Sequence, residues 1–122
     1  MEEKSKAYVN AEGFIQIDYA THLNMANQGD MQERVLQLAA NFEDKNIPLK
    51  IMTNLAAVVS FDAHAQGLAH RAVAGLNIIK TAAFGASPEI QKIHSSLYAE
   101  GDKADRIQYF TTREEALAWL RM

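Results

Sequence analysis

The chain has 122 residues, with 12 lysines and arginines against 15 aspartates and glutamates, a formal charge of −3, and no cysteine. Compact domains most often contain roughly 100–150 residues, so the length predicts one domain spanning residues 1–122. The absence of cysteine excludes disulfides, thiolate metal ligands and cysteine nucleophiles. The weak acidity argues against nucleic acid as a partner, because nucleic-acid-binding domains carry a concentrated basic surface.

The N-terminal residues carry mixed charges, and no apolar stretch of the kind found in secretory signals follows them. The apolar runs, such as Leu55–Val59 and Ala82–Phe84, are far shorter than the ~20 residues that a membrane-spanning helix needs. We therefore expect a cytoplasmic protein without a membrane span.

The first part of the chain predicts a hairpin and then a long helix. Tyr8–Ala11 and Phe14–Tyr19 flank a turn that contains a glycine, which is typical of a β-hairpin. Asp30–Glu33 has the residues of a capping box and predicts the start of a helix that Pro48 terminates. The ten or so residues before Asp30 are predicted to be a loop. That loop would be a flap over a pocket, a dimer contact or, as we favour, an ordinary surface loop.

The remainder of the chain alternates strands and helices. The predicted elements are a strand at Leu49–Leu55, a helix beginning near Asp62, a strand at Ile78–Phe84, a helix from Ser87 and Pro88 to Gly101, a strand at Arg106–Phe110 and a terminal helix after the capping box Thr112–Glu115. The order β-β-α-β-α-β-α-β-α implies crossovers and hence a mostly parallel arrangement. The predicted fold class is α/β, with an open mixed sheet of about five strands and helices packed on it.

Three stretches resemble the SpoIIAA-like family, which belongs to the STAS fold group of bacterial anti-anti-sigma factors and is related in naming to the STAS/SEC14 group. They are Val59–Asp62, the turn Phe84–Ser87 and, above all, the ending Tyr109–Leu120. The similarity in element order covers residues 8 to 120. The resemblance implies a small cytoplasmic α/β domain with a mixed sheet.

The resemblance also allows the regulatory mechanism to be compared. Anti-anti-sigma factors carry a phosphorylatable serine at the start of the helix after the third strand. The comparable stretch here is Asp62-Ala63-His64-Ala65, in which no hydroxyl follows the aspartate. We therefore expect the fold to be shared and the phosphorylation switch to be absent.

Five residues are candidates for contact with a ligand or partner. Asn54, Ser87 and Thr111 follow or end predicted strands, and the carboxyl ends of parallel strands meet at one edge of a sheet. Ser87 is also a plain helix cap, which we favour. Asp62 lies in the turn discussed above, and His64 lies on the polar side of the helix predicted there, which we interpret first as an ordinary solvated face.

Neither metal binding nor catalysis is predicted. The four histidines, His22, His64, His70 and His94, lack the spacing of a metal site and are interpreted as solvated or capping residues. No nucleophile and base can be paired from sequence spacing, and no phosphate-binding glycine loop is present. The sequence therefore predicts a non-catalytic regulatory or protein-interaction domain without a cofactor, which forms a homodimer or binds a protein partner. The alternative is a binder of a small apolar or amphipathic, lipid-like ligand.

Overall fold

The computed structural model describes residues 5–23, 25–61, 78–96 and 106–122. Its strands are β1 (Lys6–Val9), β2 (Ile15–Asp18), β3 (His22–Leu23), β4 (Leu49–Asn54), β5 (Ser60–Phe61), β6 (Ile78–Phe84) and β7 (Ile107–Phe110). Its helices are α1 (Met25–Asp44), α2 (Pro88–Ser96) and α3 (Arg113–Leu120). The helix predicted near Asp62 and the helix end predicted at Gly101 lie outside the described residues.

Five of the strands form one mixed sheet in the order β1-β2-β4-β6-β7, which confirms the predicted α/β fold class. Strand β1 is antiparallel to β2, and the other three neighbouring pairs are parallel. Strands β3 and β5 form a separate two-stranded parallel sheet, which the sequence did not predict. Two residues are too few to show an alternating pattern, so a strand of that length carries no sequence signal.

The first strand of the hairpin, β1, begins and ends two residues earlier than the predicted strand Tyr8–Ala11. The side chain of Asn10 accepts hydrogen bonds from the backbone N–H groups of Glu12 and Phe14, at 3.0 and 3.1 Å. These bonds make residues 10 to 14 the turn, because an asparagine side chain can substitute for a backbone acceptor. Gly13 adopts a φ of +88° in this turn, a conformation that glycine adopts without steric cost.

The predicted start of the first helix at Asp30 is wrong. Helix α1 begins at Met25, so residues 25–29 of the segment predicted to be a loop are helical, and they form neither a flap nor a surface loop. A glycine such as Gly29 costs a helix only about 1 kcal/mol. The apolar stripe that begins at the buried Met31 outweighs that cost by packing on the sheet.

The end of α1 agrees with the prediction and has an identifiable cap. Asn46 has a φ of +56°, the Ile47 N–H donates to Phe42 O at 2.9 Å, and the Asn46 N–H donates to Glu43 O at 3.0 Å. This pair of bonds is a Schellman motif with asparagine in the left-handed position.

The helices that the structure describes pack on both faces of the sheet, two on one face and one on the other. The larger core cluster joins α1 and α2 to one face, through residues such as Val35, Leu38, Ile51 and Ile90. The smaller cluster joins α3 to the opposite face; its buried members are Met52, Ala82, Phe84, Ala116, Leu117 and Leu120. Successive residues of a strand belong to alternate clusters, because successive side chains of a pleated strand point to opposite faces of the sheet.

Helix α3 is fixed at both ends. The predicted capping box is confirmed, because the Thr112 side chain accepts from the Glu115 N–H while the Glu115 carboxylate accepts from the Thr112 N–H. At the other end Lys50 Nζ donates to Leu120 O at 2.6 Å, and Lys80 Nζ donates to Trp119 O at 3.1 Å. Two cations on the sheet therefore satisfy carbonyls at the negative end of the helix dipole.

Candidate functional site

The parallel strands of the main sheet end in one row. Asp18 pairs in register with Asn54, Asn54 with Phe84, and Phe84 with Phe110. We call this row and the residues directly after it the carboxyl edge. Because neighbouring strands lie about 4.8 Å apart, side chains on adjacent strands of this edge are within reach of each other.

The segment Leu55–Val59, which we call the edge loop, is held by backbone hydrogen bonds at both ends. Its Leu55 N–H donates to Phe84 O at 3.0 Å, and its Val59 N–H donates to Thr21 O at 2.7 Å. Between them the Val58 N–H closes a turn onto Leu55 O at 3.1 Å. The loop thus has a defined backbone conformation although it contains no helix or main-sheet strand.

The side chains of the edge loop point in two directions. Leu55 and Val58 are buried, whereas Ala56 and Ala57 are exposed and Val59 is 66 % exposed. Val59 is the most exposed large apolar side chain of the described part of the chain apart from Met122. Single exposed apolar side chains are common on protein surfaces, and Val59 differs from most in that hydrogen bonds fix the backbone at both ends of its loop.

Gly85 brings the edge loop against the end of β6. It has a φ of +81°, and a Cβ placed on it would lie 2.7 Å from the Ala56 Cβ and 2.9 Å from the Ala56 Cα. Both the backbone conformation and the close approach therefore require glycine at this position. The turn Phe84–Ser87, predicted to separate a strand from a helix, thus also packs against the edge loop through Gly85.

Asn54, one of the predicted contact residues, links the edge loop to β2. Its Nδ2 donates to Asp18 Oδ1 at 3.2 Å, while its Oδ1 accepts from the Ala56 N–H at 3.0 Å. One side chain therefore bonds a strand on one side and the loop on the other.

Asp18 is the centre of a polar cluster that the sequence did not predict. Its Oδ2 accepts from the Tyr8 hydroxyl at 2.7 Å, and its Oδ1 accepts from Gln16 Nε2 at 2.8 Å in addition to Asn54. Partial burial, followed by the hydrogen bond and the negative charge of Asp18, raises the pKa of Tyr8 to about 12, and the charge of Arg113 opposes this shift. The tyrosine is therefore a hydrogen-bond donor at every physiological pH.

Ser87 and Thr111 occupy the other half of the carboxyl edge. The Ser87 hydroxyl accepts from the Ile90 N–H at 3.3 Å, which is the cap predicted for the start of α2. Thr111 is exposed and lines a shallow open depression of about 260 Å³ with Gly85, Ala86, Gln91, Tyr109 and Phe110. The depression borders Thr111 but does not include Asn54 or Ser87. Whether these residues contact a ligand or partner stays a prediction. Asp62 and His64 lie outside the described residues.

A serine and a histidine, which no sequence spacing had paired, meet in the small sheet. His22 Nδ1 and Ser60 Oγ share a hydrogen bond of 2.8 Å, and both side chains are exposed. The two residues are register partners in the β3–β5 ladder, and Thr21 O accepts from the Ser60 N–H at 3.3 Å. The pair ties the start of the segment before α1 to the strand that follows the edge loop.

His94 is buried, which corrects its interpretation as a solvated or capping residue. Its side chain is 1 % exposed, its Nδ1 lies 2.7 Å from the Tyr109 hydroxyl, and its ring packs edge-on against Tyr19 at 6.5 Å and Tyr109 at 5.7 Å. Burial lowers the pKa of His94 to about 4, because the apolar surroundings disfavour the charged imidazolium. The residue joins α2 to β7 and to Tyr19, the residue directly after β2, and it is a neutral ring at pH 7.

Among the described strands, the carboxyl edge lacks the reversal of strand order that forms a ligand crevice in open α/β sheets. Ligands of open α/β sheets bind where the strand order reverses, and the order β1-β2-β4-β6-β7 runs in one direction. Within the described ranges, no three histidine, aspartate or glutamate side chains are placed to hold a metal ion. None of the helices that the structure describes has the length and apolar content to cross a membrane.

Three solved structures have the same fold over nearly their whole length. One is the anti-sigma factor antagonist SpoIIAA in its unphosphorylated form, with a TM-score of 0.56, 18 % sequence identity, and coverage of 96 % of this chain and 97 % of that chain. A second is a DUF3478-family protein with a SpoIIAA-like fold from Shewanella loihica, with a TM-score of 0.62, 14 % identity and 98 % coverage of both chains.

The third is an anti-sigma-factor antagonist (STAS) domain protein from Planctomyces limnophilus, with a TM-score of 0.53, 15 % identity, and coverage of 98 % of this chain and 99 % of that chain. No protein-family model and no curated protein sequence matches the chain. The chain therefore has the SpoIIAA-like, STAS-type fold, which confirms the predicted resemblance at the level of the fold.

Proposed function

We propose that this chain is a non-catalytic, cytoplasmic regulatory domain that binds a protein, either a second copy of itself or another partner, through the edge loop. A SpoIIAA-like fold fits a regulatory domain, and the similar SpoIIAA is an antagonist of an anti-sigma factor. The observation that carries the proposal is Val59, which is 66 % exposed on a loop whose backbone is bonded at both ends.

The hydrogen bonds at both ends of the loop matter because ordering a flexible segment on binding costs free energy. Each immobilised side chain costs about 0.5–1.5 kcal/mol, and the backbone of a mobile loop adds to this. The bonds from Leu55 to Phe84 and from Val59 to Thr21 supply that order before a partner arrives. The exposed Ala56 and Ala57 beside Val59 extend the apolar surface without adding flexible side chains.

Site-specific photo-crosslinking tests this proposal. A benzophenone side chain at position 59 is compared with the same side chain at Ile47, which is 45 % exposed and precedes β4 at the opposite end of the sheet. We expect irradiation to give a discrete adduct from position 59 and none from position 47, first with the purified chain and then in the cells that produce it. The mass of the adduct distinguishes a second copy from another protein.

Two results would contradict the proposal. Adducts of equal yield from both positions would indicate unspecific collision, and the absence of an adduct from position 59 in both settings would indicate that the edge loop faces solvent. Val59→Glu provides a second measurement, because a charge at the centre of an apolar contact is expected to abolish the association that Ile47→Glu leaves intact.

The proposal includes the absence of a serine phosphorylation switch. It rests on the sequence after Asp62, where Ala63 and His64 stand in place of hydroxyl residues. After incubation with a protein kinase and ATP, we expect mass spectrometry to find no phosphate between residues 60 and 64. Phosphate on Ser60 would overturn this part of the proposal.

A groove supports a second candidate function, the binding of a small amphipathic ligand. The groove has a volume of about 280 Å³ and lies between α1 and the hairpin turn. Its lining is formed by Val9, Gly13, Leu38, Asn41, Phe42, Lys45 and Ile47. The apolar residues suit an alkyl chain, and Lys45 on the same groove suits a carboxylate head group.

Thermal unfolding in the presence of dodecanoate tests this candidate, because a ligand that binds only the native state raises Tm. We expect a higher Tm for the parent chain and no change for Val9→Asp. Equal Tm values with and without dodecanoate would remove the candidate.

A further inference from the structure

A continuous chain of hydrogen bonds joins the outermost strand of the sheet to the edge loop. The Tyr8 hydroxyl on β1 donates to Asp18 on β2 at 2.7 Å, Asn54 on β4 donates to Asp18 at 3.2 Å, and the Ala56 N–H of the edge loop donates to Asn54 at 3.0 Å. We propose that these four residues form a relay in which Asp18 positions the edge loop and couples its mobility to the surface of β1. The inference rests on the proposed function of that loop.

The charge of Asp18 makes it the centre of the relay. Hydrogen bonds to an ionised carboxylate are roughly twice as strong as bonds between neutral groups. Asn54 would otherwise be free to rotate its amide, and the same amide must keep its oxygen towards the Ala56 N–H. By holding Asn54 Nδ2, the carboxylate fixes the orientation that leaves Asn54 Oδ1 available to the loop.

The carboxylate is itself held from the hairpin side. Gln16 Nε2 donates to Asp18 Oδ1 at 2.8 Å, and Gln16 is 5 % exposed. Its Oε1 in turn accepts from Asn10 Nδ2 at 3.1 Å, and Asn10 organises the turn between β1 and β2. The carboxylate therefore cannot turn away from Asn54 without breaking bonds to two other side chains.

Tyr8 is the exposed end of the relay. Its side chain is 37 % exposed, and β1 stands at the end of the main sheet beside β2 in the order of the described strands. The Tyr8 hydroxyl is one of the three donors that orient the Asp18 carboxylate, so its loss removes one restraint on Asp18 and loosens the loop two strands away.

Hydrogen exchange of individual backbone amides, measured by NMR, tests the relay without a binding partner. In Asp18→Asn, which preserves size and removes the charge, we expect the Ala56 amide to exchange about three to ten times faster, as the loss of one net hydrogen bond implies. The Met52 amide in the centre of β4 exchanges through global unfolding. Its exchange rate is therefore expected to change only as much as the free energy of unfolding of the variant changes.

Tyr8→Phe tests the remote end and serves as a second variant where Asp18→Asn does not fold. We expect about twofold faster exchange at Ala56, because the carboxylate loses an orienting donor, and a non-additive effect when the two substitutions are combined. The matched control is Val9→Thr, an isosteric change on the next residue of β1, whose side chain lies on the opposite face; it should leave Ala56 exchange unchanged.

The results separate this inference from the proposed function. Unchanged exchange at Ala56 in both Asp18→Asn and Tyr8→Phe overturns the relay, even if position 59 crosslinks to a partner. Faster exchange at Ala56 together with a three- to tenfold lower crosslinking yield at position 59 in Asp18→Asn supports both. Faster exchange with no adduct from position 59 in any background supports the relay as a structural coupling and removes the docking role of the loop.

Discussion

Acidification should destabilise this protein through one buried side chain, His94. The pKa of His94 is lowered by burial from 6.5 to about 4. In the unfolded chain the imidazole regains its ordinary pKa. Between pH 6.5 and pH 4 the unfolded state therefore binds a proton at His94 that the folded state does not bind. The contribution of the neutral ring to stability is therefore complete above pH 6.5 and is lost as the pH falls from 6.5 to 4.

The size of the loss follows from the two pKa values. One pK unit corresponds to 1.36 kcal/mol, so the span from 6.5 to about 4 gives a loss of about 3 kcal/mol from this residue. A domain of this kind has a total free energy of unfolding of about 5–15 kcal/mol, so the loss is a large fraction of the whole. Below pH 4 the contribution of His94 no longer changes, because both states carry the proton.

Urea denaturation at intervals between pH 7.5 and pH 4 measures the effect. We expect the free energy of unfolding of the parent chain to fall by about 3 kcal/mol more than that of His94→Gln, which retains a hydrogen-bonding side chain and does not titrate. Carboxylates titrate in both proteins, so their contribution cancels in the difference.

A second variant separates burial from hydrogen bonding. Tyr109→Phe removes the 2.7 Å contact to His94 Nδ1 and should lower stability at all pH values by about 1 kcal/mol while keeping the same acid dependence, because burial causes the pKa shift. Parallel pH profiles for the parent chain and His94→Gln would refute the reasoning, since they would mean that the imidazole does not resist protonation in the folded state.

Two further substitutions test how the carboxyl edge and α3 are built. Gly85→Ala places a methyl group 2.7 Å from the Ala56 Cβ at a φ of +81°. We expect the free energy of unfolding, measured by urea denaturation, to fall by about 2–4 kcal/mol. A fall of less than about 0.5 kcal/mol would mean that the edge loop moves away freely. Thr112→Ala removes the acceptor of the Glu115 N–H and should cost about 1 kcal/mol, whereas Thr112→Ser should restore most of it; an equal loss in both would indicate that the cap is not what stabilises this end.

Much of the fold could be predicted because its signals are local. Ser87 and Pro88 mark the start of α2, and the capping box at Thr112 marks the start of α3, within four consecutive residues each. The alternation of apolar strands with helical stripes then requires crossovers and a parallel sheet. The start of α1 was missed because the segment before Asp30 is polar and contains a glycine, while tertiary packing of the later turns decides the outcome.

The candidate site was harder to predict because its contacts join distant positions. Asp18 and Asn54 are separated by 36 residues and His22 and Ser60 by 38, and no spacing in one sequence relates such pairs. Asn54 was singled out from its place at a strand end, but its partners were not. For His94 a signal did exist, since it lies four residues after the buried Ile90 and therefore on the inner stripe of α2.

The polar cluster around Asp18 has its origin in how the chain winds. The described crossover helices, α1 and α2, lie on one side of the sheet, which leaves only α3 for the other side among the residues that the structure describes. A helix about 10 Å in diameter covers roughly two strands spaced about 4.8 Å apart, so one helix cannot cover all five strands of the main sheet. Side chains beneath the open part, on β1 and β2, must bond to one another or to water. The position of α1 and α2 on the opposite face thus accounts for polar groups on this flank that bond to one another, such as Tyr8 and Asp18.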